Sequence, residues 1–126
     1  MSLYPVNDIM VSVCVVTYNH GKYIGTCLDH ILRQRRKFRI EILIHDDASM
    51  DGAQDVIRAY QKRYPDIIKP ILRVENQYSQ GITNISGAFN FPRAVGKYVA
   101  LTDGDDYWCD DYKLQRQVDY MEAHPE

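Results

Sequence analysis

Two acidic clusters carry the chain's clearest chemical potential: Asp46-Asp47, and Asp103-Gly104-Asp105-Asp106. Like charges crowded together disfavour one another's ionisation, and a cation or cationic ligand between them is the plain reason to keep them close. Carboxylate oxygens are hard donors that suit Mg²⁺ or Mn²⁺. A small divalent ion keeps waters and completes its shell with substrate phosphates. An acidic rim without a basic patch therefore fits a metal–diphosphate complex better than a bare anion. If the chain is still extended at Asp103 and Asp105, both side chains share one face, because strand side chains alternate. Each cluster taken alone also reads as a solvated turn that caps the following helix, as do Asp110 and Asp111.

The remaining reactive residue types point elsewhere. His45 ends an apolar run and reads as a buried structural group, His20 lies in a loop within reach of a ligand, and His30 and His124 read as helix-side or surface residues. Cys14, Cys27 and Cys109 match no zinc spacing and read as reduced thiols, two of them filling the core. Gly21 and Gly25 do not form a dinucleotide fingerprint, and no Gly-x-Ser-x-Gly elbow occurs. Tyr18, Tyr78 and Tyr107 follow loops, where they either edge the core or stack on a base or sugar.

The acidic clusters need elements to position them. Residues 11–18 (VSVCVVTY) form a β-branched apolar run, as expected of a strand buried on both faces. Ile24, Cys27, Leu28, Ile31 and Leu32 then repeat at helical spacing. A second strand over 40–45 ends at Asp46-Asp47. A helix follows to Pro65, with Asp51 and Gln54 spaced as a capping box and Ser49 an equal cap candidate. Residues 67–74 read as a third strand, at an edge or bulged because it contains Pro70. Residues 83–91 predict a helix buried through Ile85, Ala88 and Phe89. Residues 97–102 predict a fourth strand ending at the second acidic cluster, and 111–123 a last helix buried through Leu114, Val118 and Met121. Strands alternating with helices imply right-handed crossovers and a parallel sheet. Ligands of such sheets bind beyond the carboxyl ends of the strands, where both acidic clusters fall.

Composition narrows the class. The chain has 126 residues, with Lys plus Arg 15, Asp plus Glu 17 and a net charge of -2. That predicts one domain with its own core and shows no basic footprint for nucleic acid. No apolar run approaches the roughly 20 residues of a membrane span. Residues 1–5 lack a signal-peptide pattern, and with three unpaired-looking cysteines the expected location is the cytoplasm.

The runs VSVCVVTYN, EILIHDDASMDG and GKYVALTDGDDYW, in that order at the ends of the first, second and fourth strands, resemble the amino-terminal half of the family 2 inverting glycosyltransferases. The resemblance covers about residues 11–126. It implies an α/β fold of three αβα layers around a mostly parallel, Rossmann-like sheet of the glycosyltransferase-A type. It implies that Val16, Thr17, Tyr18 and Asn19 touch the base and ribose of a nucleoside diphosphate, together with Asp46 and Asp47. Asp47 matches the acid that accepts a hydrogen bond from the base, commonly uracil. Asp103-Gly104-Asp105 matches the Asp-x-Asp motif, whose first acid contacts ribose or metal and whose second ligates the ion bridging the diphosphate. Asp106 is the usual following acid, which orients its neighbour or joins the metal set. The implied cofactor is Mn²⁺ or Mg²⁺, a Lewis acid for the departing diphosphate. The implied donor is a nucleoside-diphospho-sugar, UDP-sugar first, and the acceptor a saccharide or lipid-linked group.

Inverting transfer needs a base to take the acceptor's hydroxyl proton. In the resembled family an Asp or Glu of the second half does this, in domains of roughly 220–250 residues. No candidate base stands in this chain, so it reads as the donor-binding part, with the catalytic base expected beyond Glu126 and self-association at an open sheet edge. Three other readings stay open: a non-catalytic nucleotide- or carbohydrate-binding module, a phospho-acceptor receiver domain and a nucleotidyltransferase. A receiver carries its acidic pair after the first strand, whereas here it follows the second. A nucleotidyltransferase wants a Gly-rich basic first loop, which His20-Gly21-Lys22 matches poorly.

Overall fold

The computed structural model describes residues 9–124, so residues 1–5, read above for a leader sequence, lie outside the described residues. Four strands, β1 (Val11–Thr17), β2 (Ile40–Asp46), β3 (Ile68–Leu72) and β4 (Tyr98–Asp103), form an all-parallel sheet in the order β3-β2-β1-β4. Helices α1 (Ile24–Leu32), α2 (Ala53–Arg63) and α3 (Lys113–Ala123) complete the regular elements.

Alternation along β1 divides the molecule into layers. Val11, Val13 and Val15 join Ile42, Ile44 and Ile68 in a buried core against Ile24, Leu28 and Ile31 of α1, Ile57 of α2 and Leu114 and Val118 of α3. The opposite face carries Ser12, Cys14, Glu41, Leu43 and His45, all buried. It is covered by the long connection from β3 to β4, which crosses back over β2 and β1. The result is the three-layer parallel sheet that the sequence predicts. Pro70 sits in β3, an edge strand, where a missing N–H is tolerated.

Several expectations change in detail. Residues 83–91 do not form a regular helix. A single π-type turn, Ser86–Asn90, runs into a short 3₁₀ turn, Phe91–Arg93. Pro92 lacks the N–H that an α-helix would need there. The buried residues are Ile85, Ser86 and Asn90 rather than Ala88, and Asn90 Nδ2 donates to the Val15 carbonyl at 3.2 Å. Helix α2 starts after Gly52 (φ 91°), and Asp51 Oδ1 accepts the Ala53 N–H at 3.2 Å, but Gln54 turns to Asp46 and the Arg73 carbonyl, so the capping box does not form. Asp110 does hold the start of α3, accepting the Tyr112 N–H at 2.9 Å, whereas Asp111 pairs with Arg33. Met121 is 45% exposed, beside Leu101 at 61% along the open flank of β4. Cys14 and Cys27 are core residues and Cys109 is exposed, all three free. Among the described residues no helix is long and apolar enough to cross a membrane.

Candidate functional site

The site lies at the carboxyl rim, on either side of the end of β1. Register sets Thr17 beside Asp46 of β2 and Val16 beside Asp103 of β4. The strand order reverses here, because β1 to β3 grow one way and β4 joins the other side. That is the switch point at which open parallel sheets leave a crevice.

The two acidic clusters, whose crowding suggested a cation or cationic ligand between them, separate into different roles. Asp46 is fully buried, and its carboxylate accepts Ser49 Oγ at 2.5 Å, Ser49 N at 2.9 Å and Gln54 Nε2 at 2.8 Å. It organises the turn and presents no surface to a ligand. Ser49 and Gln54, read as helix-capping residues, serve this carboxylate instead. The Ser49 hydroxyl also accepts the Asn19 N–H at 2.8 Å, and Asn19 Oδ1 accepts the Met50 N–H at 2.9 Å. Asp51 accepts the Gly21 N–H at 2.9 Å, and that bond holds its carboxyl below the usual range. The loops after β1 and β2 are thus zipped together. Asn19 (φ 53°) and Ala48 (φ 67°) adopt the left-handed conformation to make this fit.

Asp47 is 2% exposed and lines a cavity of about 430 Å³ with Val16, Tyr18, Asn76, Tyr78 and Ile85. Its oxygens accept the Gln77 N–H at 2.6 Å and the Tyr78 N–H at 3.0 Å. Tyr18 is 47% exposed at the cavity wall. Behind this wall His45 stacks on Phe89 with ring centres 4.7 Å apart, and its Nε2 accepts Arg73 Nε at 3.0 Å. Burial pushes its pKa down, so it is a neutral structural group, as its place in the strand suggests.

Asp103, Asp105 and Asp106 remain exposed, with carboxylate oxygens within 4.8 Å of one another. Strand alternation does not bring them together. The chain turns at Gly104, with the Asp106 N–H donating to the Asp103 carbonyl at 3.0 Å, and the turn adds the third acid. A Cβ at Gly104 would lie 2.5 Å from Thr17 Oγ1, so the turn requires glycine to sit on the end of β1. Three converging hard oxygens fit a divalent cation. Beneath them the Cys27 thiol donates to the Asp103 carbonyl at 3.6 Å, and burial pushes its pKa up to about 12, so it stays protonated. Asp103 and Asp106 also line a cleft of about 810 Å³ that shares Val16, Tyr78 and Ile85 with the smaller cavity. A further hollow of about 610 Å³ between β4 and α3 has no acid in its lining and shares Leu101 and Lys113 with that cleft. Sequence reasoning missed Asn76 and Ile85 as cavity walls. The loop that carries Asn76 has no periodicity, and only the folded chain brings it over Asp47.

A parallel α/β sheet with an acidic turn at its switch point defines the class of open α/β domains that bind ligands at the carboxyl ends of their strands. The sequence matches Glycosyl transferase family 2 over residues 12–126, and the chain belongs to that family. It is 42% identical over 120 residues to the uncharacterized protein Rv1520 of Mycobacterium tuberculosis, which covers 92% of this chain and 32% of the relative. The structure is similar to that of S. aureus TarS 1-349 in complex with UDP-GlcNAc, with TM-score 0.77 and 26% identity over 93% of this chain and 32% of that one. It is also similar to the mannosyltransferase PcManGT from Pyrobaculum calidifontis in complex with GDP-Man and Mn²⁺, with TM-score 0.72 and 26% identity over 94% and 34%. The fold is that of the glycosyltransferase-A enzymes, and the chain spans about a third of the length of these proteins.

Proposed function

We propose that this chain is the donor-binding part of a metal-dependent glycosyltransferase that takes a UDP-sugar and transfers the sugar with inversion. One observation carries the reading: three carboxylates converge within 4.8 Å, and two of them, Asp103 and Asp106, line a cleft that shares Val16, Tyr78 and Ile85 with the cavity of Tyr18 and Asp47. In this reading Asp103, Asp105 and Asp106 hold Mn²⁺ or Mg²⁺. The ion supplies Lewis-acid stabilisation of the departing diphosphate. Val16 and Tyr18 flank the base and ribose. Asp47 is held by two backbone N–H groups, and each of its oxygens keeps a second lone pair, so it accepts the uracil imide from the cavity side. Thr17, Asn19 and Asp46 shape the two loops rather than touch the nucleotide. The general base and the acceptor site belong to the part of the relatives' length that this chain does not span.

The test is calorimetric titration of UDP, GDP and dTDP in Mn²⁺ and in EDTA. We expect UDP to bind at least tenfold more tightly with Mn²⁺, a gain that Asp105→Ala removes. Equal affinity in both buffers, unchanged by Asp105→Ala, would leave the acidic turn as a structural turn only. A preference for GDP or dTDP would refute the uridine assignment alone.

A further inference from the structure

Resting on the metal reading above, we infer that His20 is a positioning residue for Asp105, with its ring set by Thr17. Thr17 is 1% exposed, and its hydroxyl lies 3.0 Å from His20 Nδ1. The ring's other nitrogen, Nε2, faces Asp105 Oδ2 at 3.7 Å. A lone pair on Nε2 would repel that carboxylate. Of the two neutral tautomers, the favourable one places hydrogen on Nε2, and Nδ1 then accepts from the Thr17 hydroxyl. The sequence Thr17 O–H, His20 Nδ1, His20 Nε2–H, Asp105 thus runs from the end of β1 to the acidic turn.

The supports on both sides are rigid. The His20 carbonyl accepts the Tyr23 and Ile24 N–H groups at 2.8 Å each, which anchors it to the start of α1. The Gly104 N–H donates to the Val16 carbonyl at 2.9 Å. A Cβ at Gly104 would stand 2.5 Å from Thr17 Oγ1 and 3.1 Å from His20 Nδ1, so the acidic turn rests directly on this pair. His20 therefore restricts which way the middle carboxylate of the turn points and adds no ligand of its own. Partners that orient a metal ligand in this way typically change metal affinity about 10–100-fold.

The experiment measures UDP affinity with Mn²⁺ and with EDTA for the wild type, His20→Ala, His20→Gln and Thr17→Val, alongside urea unfolding of each. Glutamine places an N–H close to that of Nε2. We expect His20→Ala to cut the Mn²⁺-dependent gain about tenfold and to change affinity in EDTA less than twofold. His20→Gln should restore most of the gain, and Thr17→Val should fall between. Imidazole ¹⁵N spectra of the unliganded wild type should show His20 protonated at Nε2 and bare at Nδ1. An undiminished gain in His20→Ala, an equal loss in both buffers, failure of His20→Gln to rescue, or a proton on Nδ1 would each overturn the inference. A wild type that gains nothing from Mn²⁺ would instead overturn the metal reading on which it rests.

Discussion

At the scale of single residues, Asp46 and Asp47 show how neighbouring identical side chains part ways. Both lie at the end of β2 and are indistinguishable by composition. Asp46 is buried and accepts three donors, whereas Asp47 faces a cavity. Asp46→Asn turns one acceptor into a donor that faces other donors. We expect it to cost about 2–3 kcal/mol, read as a lower urea midpoint with an unchanged slope. Ala48 holds φ at 67°, a conformation a Cβ disfavours. Ala48→Gly should therefore raise stability by about 0.5–1 kcal/mol, read as a higher urea midpoint, because relief of the left-handed strain exceeds the extra chain entropy of glycine. The acidic types were legible in the sequence, and so was the buried His45. The division of labour within Asp46-Asp47 was not, because it depends on Ser49, Gln54 and the N–H groups of Gln77 and Tyr78.

At the scale of elements, periodicity located every strand and the three helices to within a few residues, since each buries a regular face. It failed over 83–91, where the polar Ser86 and Asn90 are buried beside Ile85, Asn90 because it bonds the Val15 carbonyl. The joint between β1, β2 and the approach to β4 was also invisible in sequence. Glu41 is 1% exposed and accepts Ser12 Oγ at 2.5 Å, Val95 N at 2.9 Å and Lys69 Nζ at 2.9 Å. Burial pushes its pKa up, but these three donors outweigh burial and hold it below the usual carboxylate value. Such a group stabilises the fold fully above its unfolded pKa, about 4.3, and loses that contribution as pH falls through the lower folded value. Glu41→Gln should cost about 2 kcal/mol at pH 7. The gap between variant and wild type should narrow as urea midpoints are taken from pH 5 down to pH 2. A gap constant with pH would show that Glu41 acts through packing alone.

At the scale of the whole molecule, the sheet runs from an edge strand containing Pro70 to β4, which has no outer neighbour among the described residues and exposes Val99 and Leu101. A ligand held across β1, β2 and β4 must stabilise the whole sheet. At a UDP concentration 100 times its Kd, with Mn²⁺, folding should gain about 2.7 kcal/mol. Scanning calorimetry should show Tm rising by about 10 °C with Mn²⁺ and far less with EDTA. A rise of the same size in both buffers would argue against a metal-bridged diphosphate. By itself the sequence determined the parallel α/β class, the order of elements and the end of the sheet at which the acidic residues fall, because burial periodicity and strand order are local signals. Only the tertiary structure decided which carboxylates face a ligand. It zips the first two loops together, saturates Asp46, brings Asn76 over Asp47 and seats Gly104 on Thr17 and His20, and these contacts join segments far apart in the chain.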